Sequence, residues 1–227
     1  MIIWTFFNQK GGVGKTTTAM GVASALTQMG YNATLVDTDP QCSAQKWESR
    51  TEDSGKNYPP VSHKVESING LTEQEFAQWV TKRQDGVDFM LIDTPPKLSS
   101  SELSAALFVC DVAVLPMNPH VTCTDAIEEL IPLVHSISQR RGDPINIQVL
   151  LNRYSGRRAS EKDIIDNIGD ISPWPVLVSR LKDFAGYADA HTFRTSVFSL
   201  PNTAAARNSL DALTRELIEI TSATISE

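Results

Sequence analysis

Cysteine is scarce in this sequence of 227 residues, and the few that occur exclude two common kinds of site. Cys42, Cys110 and Cys123 are odd in number and form no C-x-x-C pair, so neither a disulfide framework nor a zinc site is supported. We expect all three to be buried free thiols.

Long apolar runs are also missing. No stretch approaches the roughly 18 apolar residues of a membrane-spanning helix, and the first residues lack a basic region and a cleavage site. Repeats and low-complexity segments are absent as well. With 41% hydrophobic and 21% charged residues, the composition is typical of a soluble globular protein. We therefore expect a cytosolic protein in which residues 1–227 form a single domain.

What the sequence does contain is a regular alternation of apolar runs with helical patterns. This alternation predicts an α/β fold, with a mostly parallel, twisted sheet flanked by helices on both faces. The predicted strands are 2–7, 33–37, 89–93, 112–116, 147–151 and 176–178. The predicted helices are 15–29, 42–50, 72–83, 99–109, 122–139, 161–168 and 203–220. Residues 51–64 are polar and contain Gly55 and the pair Pro59-Pro60, which favours an exposed loop.

The segment KGGVGKTT, residues 10–17, lies between the first predicted strand and the first predicted helix. Glycines in this position let successive backbone N–H groups turn toward a phosphate at the positive end of the helix. Lys15 is then placed to reach the β- and γ-phosphates, and the Thr16 hydroxyl to ligate Mg²⁺. The usual pattern G-x-x-x-x-G-K-[ST] has glycine at the position of Gln9, whereas this chain adds a second lysine, Lys10.

Carboxylates follow two other predicted strands. Asp37 and Asp39 stand where the second strand ends before Pro40, and Asp93 closes the apolar run FMLI at residues 89–92. Parallel sheets bind ligands at the carboxyl ends of their strands, so all three carboxylates are candidates for the phosphate site. Asp93 has the form of a Walker B aspartate, which holds Mg²⁺ directly or through water. The alternative for the first two is a turn capped by aspartates.

Together these motifs resemble the deviant Walker A group of P-loop ATPases, which includes ParA partition ATPases and MinD and has the signature K-G-G-x-G-K-[ST]. The resemblance covers nearly the whole chain and is most specific in residues 8–41 and 89–96. It implies an ATPase with weak basal turnover that binds ATP/ADP and Mg²⁺ and dimerises when ATP is bound. The ParA type without a helix-turn-helix extension fits best, because nothing precedes the first strand.

The resemblance also implies roles for individual residues. Lys10 would reach the phosphates of the partner subunit, Asp39 would position the attacking water, and Asp37 would support the Mg²⁺ network. Asn152, at the end of a predicted strand, is a candidate adenine contact through its amide, although a local turn is equally compatible with its position. The predicted catalytic residues are Lys10, Lys15 and Asp39; the nucleotide-binding residues are Lys10, Gly11, Gly12, Val13, Gly14, Lys15, Thr16, Thr17 and Asn152; the metal ligands are Thr16, Asp37 and Asp93.

The distribution of charge bears on possible partners. The net charge of −7 opposes indiscriminate binding to DNA, but residues 140–207 hold ten Lys and Arg against seven Asp and Glu. Partition ATPases bind DNA without sequence preference through basic residues of their C-terminal part. By that resemblance, the candidates in this chain are Arg180, Lys182, Arg194 and Arg207. A membrane-surface helix is normally basic, and residues 210–220 are amphipathic but acidic, so a membrane partner is disfavoured.

The resulting functional hypothesis is an ATP-dependent dimerising switch that partitions or positions DNA or another large cargo. It would be cytoplasmic, would associate with the nucleoid when ATP is bound, and would be stimulated by a ParB-like or other cargo-binding partner. The alternative is a VirC1-like ATPase that positions a secretion, conjugation or polysaccharide machine without using DNA as a track.

Overall fold

The apolar runs form a seven-stranded parallel sheet in the computed structural model, which describes residues 1–49, 58–120 and 123–225. The strands are β1 (Ile2–Phe6), β2 (Ala33–Asp37), β3 (Lys64–Ser67), β4 (Phe89–Asp93), β5 (Val112–Met117), β6 (Ile147–Tyr154) and β7 (Leu181–Lys182). Their order across the sheet is β3-β2-β4-β1-β5-β6-β7. The central strands β2, β4 and β5 are buried throughout, which explains why their sequences are continuously apolar rather than alternating. The predicted fold class is confirmed.

Helices cover both faces of this sheet. They are α1 (Lys15–Gln28), α2 (Ser43–Glu48), α3 (Glu73–Thr81), α4 (Ser101–Val109), α5 (Cys123–Arg141), α6 (Ala159–Ile171), α7 (Ala185–Thr192) and α8 (Ala204–Ile225). One apolar core joins the sheet to α1, α2, α7 and α8, and a second joins it to α3, α4, α5 and α6. Gly30, with φ 92°, follows the end of α1 as predicted.

Close packing of α1 against α8 fixes the first of these layers. A Cβ atom on Gly21 of α1 would lie 2.8 Å from the Leu210 methyl groups, so glycine lets the two helices approach without displacing the Leu210 side chain. The Trp4 indole on β1 donates a hydrogen bond of 2.9 Å to the Thr221 hydroxyl of α8. The C-terminal helix is therefore part of the core beside the first strand and helix.

The strand predicted at residues 176–178 is wrong. Val176 forms only an isolated bridge with Val149, and Val178 is 87% exposed. The Glu216 carboxylate of α8 accepts hydrogen bonds from the backbone N–H groups of Val178 and Ser179, at 2.7 and 2.8 Å. Because the Glu216 side chain binds these two amides, they are not available for hydrogen bonds of the sheet. Strand β7 begins only at Leu181.

Among the strands and α-helices, three escaped the sequence analysis, namely β3, β7 and α7. β3 begins at Lys64, the last residue of the predicted exposed loop 51–64, and Val61 and His63 of that loop are buried. Residues 51–57 of the loop lie outside the described part of the chain. The prediction of an exposed loop is therefore wrong for Val61 and His63, whose side chains complete the core next to α1.

Buried thiols are confirmed only in part. Cys110 is buried, Cys42 is half-buried, and the side chain of Cys123 lies outside the description. Burial raises the pKa of the Cys110 thiol to about 12. Among the described residues, none of the helices combines the length and the apolarity that crossing a membrane demands.

His63 gives the protein a predicted acid sensitivity. Its ring is buried, Nδ1 lies 3.5 Å from the Ser24 hydroxyl, and Nε2 has no hydrogen-bond partner among the described atoms. Burial lowers the pKa of His63 to about 4, because the charged ring would lose its hydration. At pH values between about 4 and the ordinary pKa of 6.5, the His63 ring is protonated in the unfolded chain and neutral in the folded chain. The free energy of unfolding is thus expected to fall by up to roughly 3 kcal/mol as pH is lowered through this window.

Urea unfolding between pH 7 and pH 4 measures this effect. His63→Leu should remove most of its contribution to the slope, whereas His120→Leu, at an exposed position, should leave the slope unchanged. An unchanged pH dependence in His63→Leu would show that other groups carry the acid sensitivity.

Candidate functional site

The glycine loop between β1 and α1 has the geometry of a phosphate-binding loop. Gly12 and Gly14 have φ values of 75° and 91°, a left-handed conformation that glycine adopts without strain. The Asn8 side chain holds the start of the loop, since its amide donates to the Pro116 carbonyl and its oxygen accepts from the Lys10 N–H at 2.9 Å. Helix α1 starts directly after Gly14, so its N–H groups and its positive end face the loop.

Lys15 is the buried cation of this site, only 7% exposed. Its ammonium group makes one long hydrogen bond, 3.5 Å, to the Lys10 carbonyl. Burial lowers the pKa of Lys15, and the negative charges of Asp93 and Asp39 partly oppose that change. A buried ammonium group with one weak partner among the described residues is suited to bind an anion in the loop, and the phosphate-binding role of Lys15 stays a prediction.

Asp93 carries an unfilled oxygen at the end of β4. Its Oδ2 accepts a hydrogen bond of 2.6 Å from the Thr16 hydroxyl, while Oδ1 is buried and has no partner among the described residues. Burial raises the pKa of Asp93 to about 7, and the nearby Asp37 carboxylate adds to the increase. A divalent cation beside Thr16 and Asp93 would satisfy this oxygen and favour the charged carboxylate. The donor set therefore fits Mg²⁺.

The two aspartates after β2 differ in their surroundings. Asp37 is buried and in register with Asp93 on the adjacent strand, and its carboxylate accepts three backbone N–H groups, from Asp39, Ala44 and Gln45. It therefore fixes both the loop after β2 and the start of α2. Burial raises the pKa of Asp37, although these hydrogen bonds oppose the change.

Asp39 is half-buried, and its Oδ1 accepts a hydrogen bond of 2.9 Å from the Gln41 N–H. The aspartate-capped turn considered as the alternative in the sequence is thus present. It coexists with proximity to the phosphate loop, because the charge of Asp39 acts on the pKa of Lys15. The turn therefore fixes the Asp39 carboxylate in the vicinity of the Lys15 ammonium group.

Asn152 at the end of β6 braces the glycine loop. Its amide donates to the Val13 carbonyl at 2.8 Å and lies 3.2 Å from the Thr18 hydroxyl. A Cβ atom on Gly14 would collide with this amide, so the loop and β6 are in close contact. The two roles considered from the sequence, an adenine contact and a local turn, did not include this bracing.

Arg153 is a site residue that the sequence analysis did not assign to the nucleotide. It has φ 55°, and its guanidinium group donates to the Gly12 carbonyl at 2.6 Å and pairs with Asp183 at 3.5 Å. A non-glycine residue in this conformation is strained and is often found at functional sites. The only signal in the sequence was its position next to Asn152.

A cavity of about 310 Å³ adjoins the glycine loop on the side of β6 and β7. The N-terminus of α1 forms one wall, and α7 contributes Tyr187, Ala188 and His191 to another. Asn152, Arg153 and Asp183 provide polar groups at its lining. Its position beside the phosphate loop makes it the candidate pocket for the nucleoside part of a nucleotide.

Gln9, the residue that departs from the usual loop pattern, connects the loop to α5. Its side-chain amide donates to the Glu129 carboxylate in a short hydrogen bond. Lys10 follows it, half-buried. The extra lysine thus follows directly after the residue that joins the loop to α5.

The four residues predicted to bind DNA lie in three different parts of the described structure. Arg180 and Lys182 are exposed at β7, where the Lys182 ammonium lies 5.8 Å from the centre of the Tyr154 ring. Arg194 follows α7 and donates to the Ser49 carbonyl at 2.8 Å. Arg207 is on α8, in a hollow that also includes Gln28 at the end of α1.

The fold and the site define a P-loop nucleotide-binding protein, with phosphate loop, buried lysine and Walker B aspartate at one edge of a parallel sheet. The family model for the CobQ/CobB/MinD/ParA nucleotide binding domain matches residues 4–192, so the chain belongs to this family. The resemblance inferred from the motifs is thereby confirmed.

Among similar sequences, the maintenance of carboxysome distribution protein A of Halothiobacillus neapolitanus is 26% identical over 213 residues, which are 94% of this chain and 93% of that protein. The chromosome-partitioning ATPase Soj of Thermus thermophilus is 28% identical over 171 residues, covering 66% of this chain and 68% of Soj. The relatives of this chain therefore include a protein named for the distribution of carboxysomes and one named for the partitioning of chromosomes.

Solved structures show the same fold. An ATP complex of a Cyanothece McdA variant has a TM-score of 0.78 at 14% identity, with 96% of each chain covered. Cobyrinic acid a,c-diamide synthase of Mycobacterium smegmatis, solved with ADP and magnesium, has a TM-score of 0.73 at 19% identity and covers 96% of this chain and 95% of its own. These TM-scores establish the shared architecture, and both of these neighbours were solved with a nucleotide bound.

Proposed function

We propose that this protein is an ATP-dependent dimerising switch ATPase that positions or partitions a large cargo. The observation that carries the proposal is the arrangement of Lys15, Thr16 and Asp93. Among the described residues, the buried Lys15 ammonium group has one weak partner and the buried Oδ1 of Asp93 has none. The Thr16 hydroxyl donates to the other Asp93 oxygen, and all three residues adjoin the glycine loop. Family membership and the positioning and partitioning relatives support the same conclusion.

ATP would bind with its phosphates on the loop of residues 11–17 and its nucleoside in the adjoining cavity, beside Asn152 and Arg153. Thr16 and Asp93 would hold Mg²⁺, which neutralises negative charge on the β- and γ-phosphates, and Asp37 would support them by fixing the loop after β2. Lys15 would bind the same phosphates from within the subunit. Lys10 would reach the γ-phosphate held by the second subunit, in the manner of an arginine finger.

Hydrolysis would depend on Asp39. Its carboxylate is held by the turn to Gln41 and lies near Lys15, where it can orient a water molecule toward the γ-phosphate. Loss of that phosphate would remove the group that both Lys10 residues contact, and the dimer would separate. Basal turnover is expected to be slow and to be stimulated by a partner that recognises the cargo.

The proposed track is DNA of any sequence, bound in the ATP-dependent dimer by a surface centred on Arg180 and Lys182. Both side chains are exposed at the β7 edge, close in sequence to the cavity residue Asp183. Arg194 and Arg207 are assigned smaller contributions, because Arg194 is bound to the backbone of Ser49 and Arg207 is half-buried. The net charge of −7 instead favours the second candidate, a positioning ATPase that does not use DNA.

Binding to random-sequence duplex DNA, measured with ATP, ADP and no nucleotide, separates these candidates. We expect salt-sensitive binding only with ATP, and in the double variant Arg180→Ala/Lys182→Ala a loss of at least about tenfold with a salt slope smaller by nearly two. Lys64→Ala/Arg83→Ala is the matched control, since these basic residues pair with Glu66 at the opposite edge of the sheet and should not matter. An ATP-dependent dimer that ignores DNA would favour the second candidate.

A further inference from the structure

Helix α8 carries a row of alternating charges on its outer face. Arg207, Asp211, Arg215 and Glu219 follow one another at intervals of four residues, so they form one continuous ridge along the helix. Arg215 and Glu219 are exposed, and Arg207 and Asp211 are half-buried. We call these four residues the charge ridge.

The charge ridge is not used inside the subunit. Within the described part of the chain none of its four residues forms an ion pair, and the buried Nε of Arg207 makes no hydrogen bond. In two of the three steps along the ridge the basic residue precedes the acidic one, which is the less favourable order for pairing within a helix. The opposite face of α8 is the one that joins the core, through Leu210, Leu213 and Leu217.

Apolar groups flank the charge ridge. Two shallow hollows of about 460 and 350 Å³ run beside it, and both include Met29 and Arg215. Phe198 contributes to the first and Tyr31, 38% exposed, to the second. Aromatic residues, methionine and arginine are enriched in protein interfaces, and polar groups form their rim, so these hollows together with the charge ridge have a composition compatible with an interface.

The order of the charges makes the ridge complementary to itself. Read in one direction it is basic, acidic, basic, acidic, and in the other direction it is the reverse. When two copies of α8 lie antiparallel about a two-fold axis that crosses the ridge midway between Asp211 and Arg215, Asp211 of each copy faces Arg215 of the other, and Arg207 faces Glu219. Helices that cross at about −50° bring such rows of residues alongside each other. A contact of this kind is closed and uses the same patch on both subunits.

We propose that the charge ridge is a self-docking surface that binds a second copy of this chain in antiparallel orientation. Exposed ion pairs contribute little individually, so the association is weak and needs a high local concentration. It goes beyond the proposed function and does not depend on nucleotide, because its residues lie on α8 rather than on the glycine loop. Combined with a nucleotide-dependent contact elsewhere, it joins dimers into larger assemblies.

Sedimentation velocity of the full chain without nucleotide tests the proposal with two single variants. Arg215→Glu makes the centre of the ridge entirely acidic, and Asp211→Arg makes it entirely basic, so each variant alone should self-associate at least tenfold more weakly than wild type. An equimolar mixture of the two should associate again, because each acidic centre then meets a basic one. Circular dichroism of each variant checks the fold.

Two further measurements identify the forces and the site. Association should weaken between roughly 0.1 M and 1 M salt, as the screening length falls from about 10 Å to 3 Å. Lys15→Ala should associate like the wild type, which separates this contact from any that ATP mediates. The proposal is overturned if the wild type stays monomeric at several hundred micromolar, if the single variants associate as the wild type does, or if their mixture does not associate.

Discussion

Replacing Lys15 with alanine is expected to abolish ATP binding at micromolar concentrations. The ammonium group is buried beside the phosphate loop, where each hydrogen bond to an ionised phosphate is stronger than it would be in water. Its removal also takes away a positive charge that offsets Asp93 and Asp39, so the incoming phosphates meet more uncompensated negative charge. We expect the affinity for ATP to fall by a factor of about 100 to 1,000, or roughly 3 to 4 kcal/mol.

Titration with ATP and Mg²⁺ in a calorimeter measures this loss. Lys46→Ala is a suitable control, because Lys46 is exposed on α2 and its ammonium group donates to the Gln41 carbonyl rather than to a group of the glycine loop. Lys15→Ala should retain the wild-type circular dichroism, since its side chain supports no element of secondary structure. Undiminished ATP affinity in a folded Lys15→Ala protein would remove the basis for placing the phosphates in this loop.

Replacing Asp39 is expected to separate nucleotide binding from hydrolysis. Asp39→Asn keeps a side-chain oxygen for the turn to Gln41 but lacks the charge that orients water, so ATP should still bind while turnover falls by a factor of about 100 or more. The ATP-bound dimer should then persist. Asp39→Ala should behave similarly with a small loss of stability, because the turn loses its cap.

Phosphate release together with the mass of the protein in ATP tests both parts. Asp85→Ala, at an exposed position away from the loop, serves as the control. Rapid hydrolysis by Asp39→Asn would refute the role of the carboxylate, and a variant that binds ATP but stays monomeric would refute the nucleotide-bridged dimer.

The sequence predicted the parts of the fold in which local pattern and burial agree. The central strands β2 and β4 are continuously apolar and end in aspartate, so their positions were predicted to the residue. The edge elements were not, because β3 has the polar sequence KVES and β7 has only two residues. Helix α7 was missed as well. Its sequence AGYADAHT contains an early glycine, which is required where the helix packs against Thr203.

The candidate site divides in the same way. Lys15, Thr16 and Asp93 come together as their motifs predict, because the carboxyl ends of parallel strands share one edge. The uses of Asp37 and Asn152 were not predicted, since the sequence pattern does not show which backbone groups a side chain binds in the folded chain. Asp37 binds backbone N–H groups up to eight residues away, and Asn152 binds the loop at Val13. The sequence therefore predicted several residues of the candidate site, but not the contacts that Asp37 and Asn152 make in the folded chain.

The bracing of the glycine loop by β6 has a mechanical consequence. Asn152 donates a hydrogen bond to the Val13 carbonyl, and Arg153 donates one to the Gly12 carbonyl. Arg153 also forms an ion pair with Asp183 after β7. These contacts therefore connect the glycine loop to the edge of the sheet that bears Arg180 and Lys182. We expect a displacement of the loop that changes its two carbonyl contacts to reach that edge through the adjacent side chains of Asn152 and Arg153.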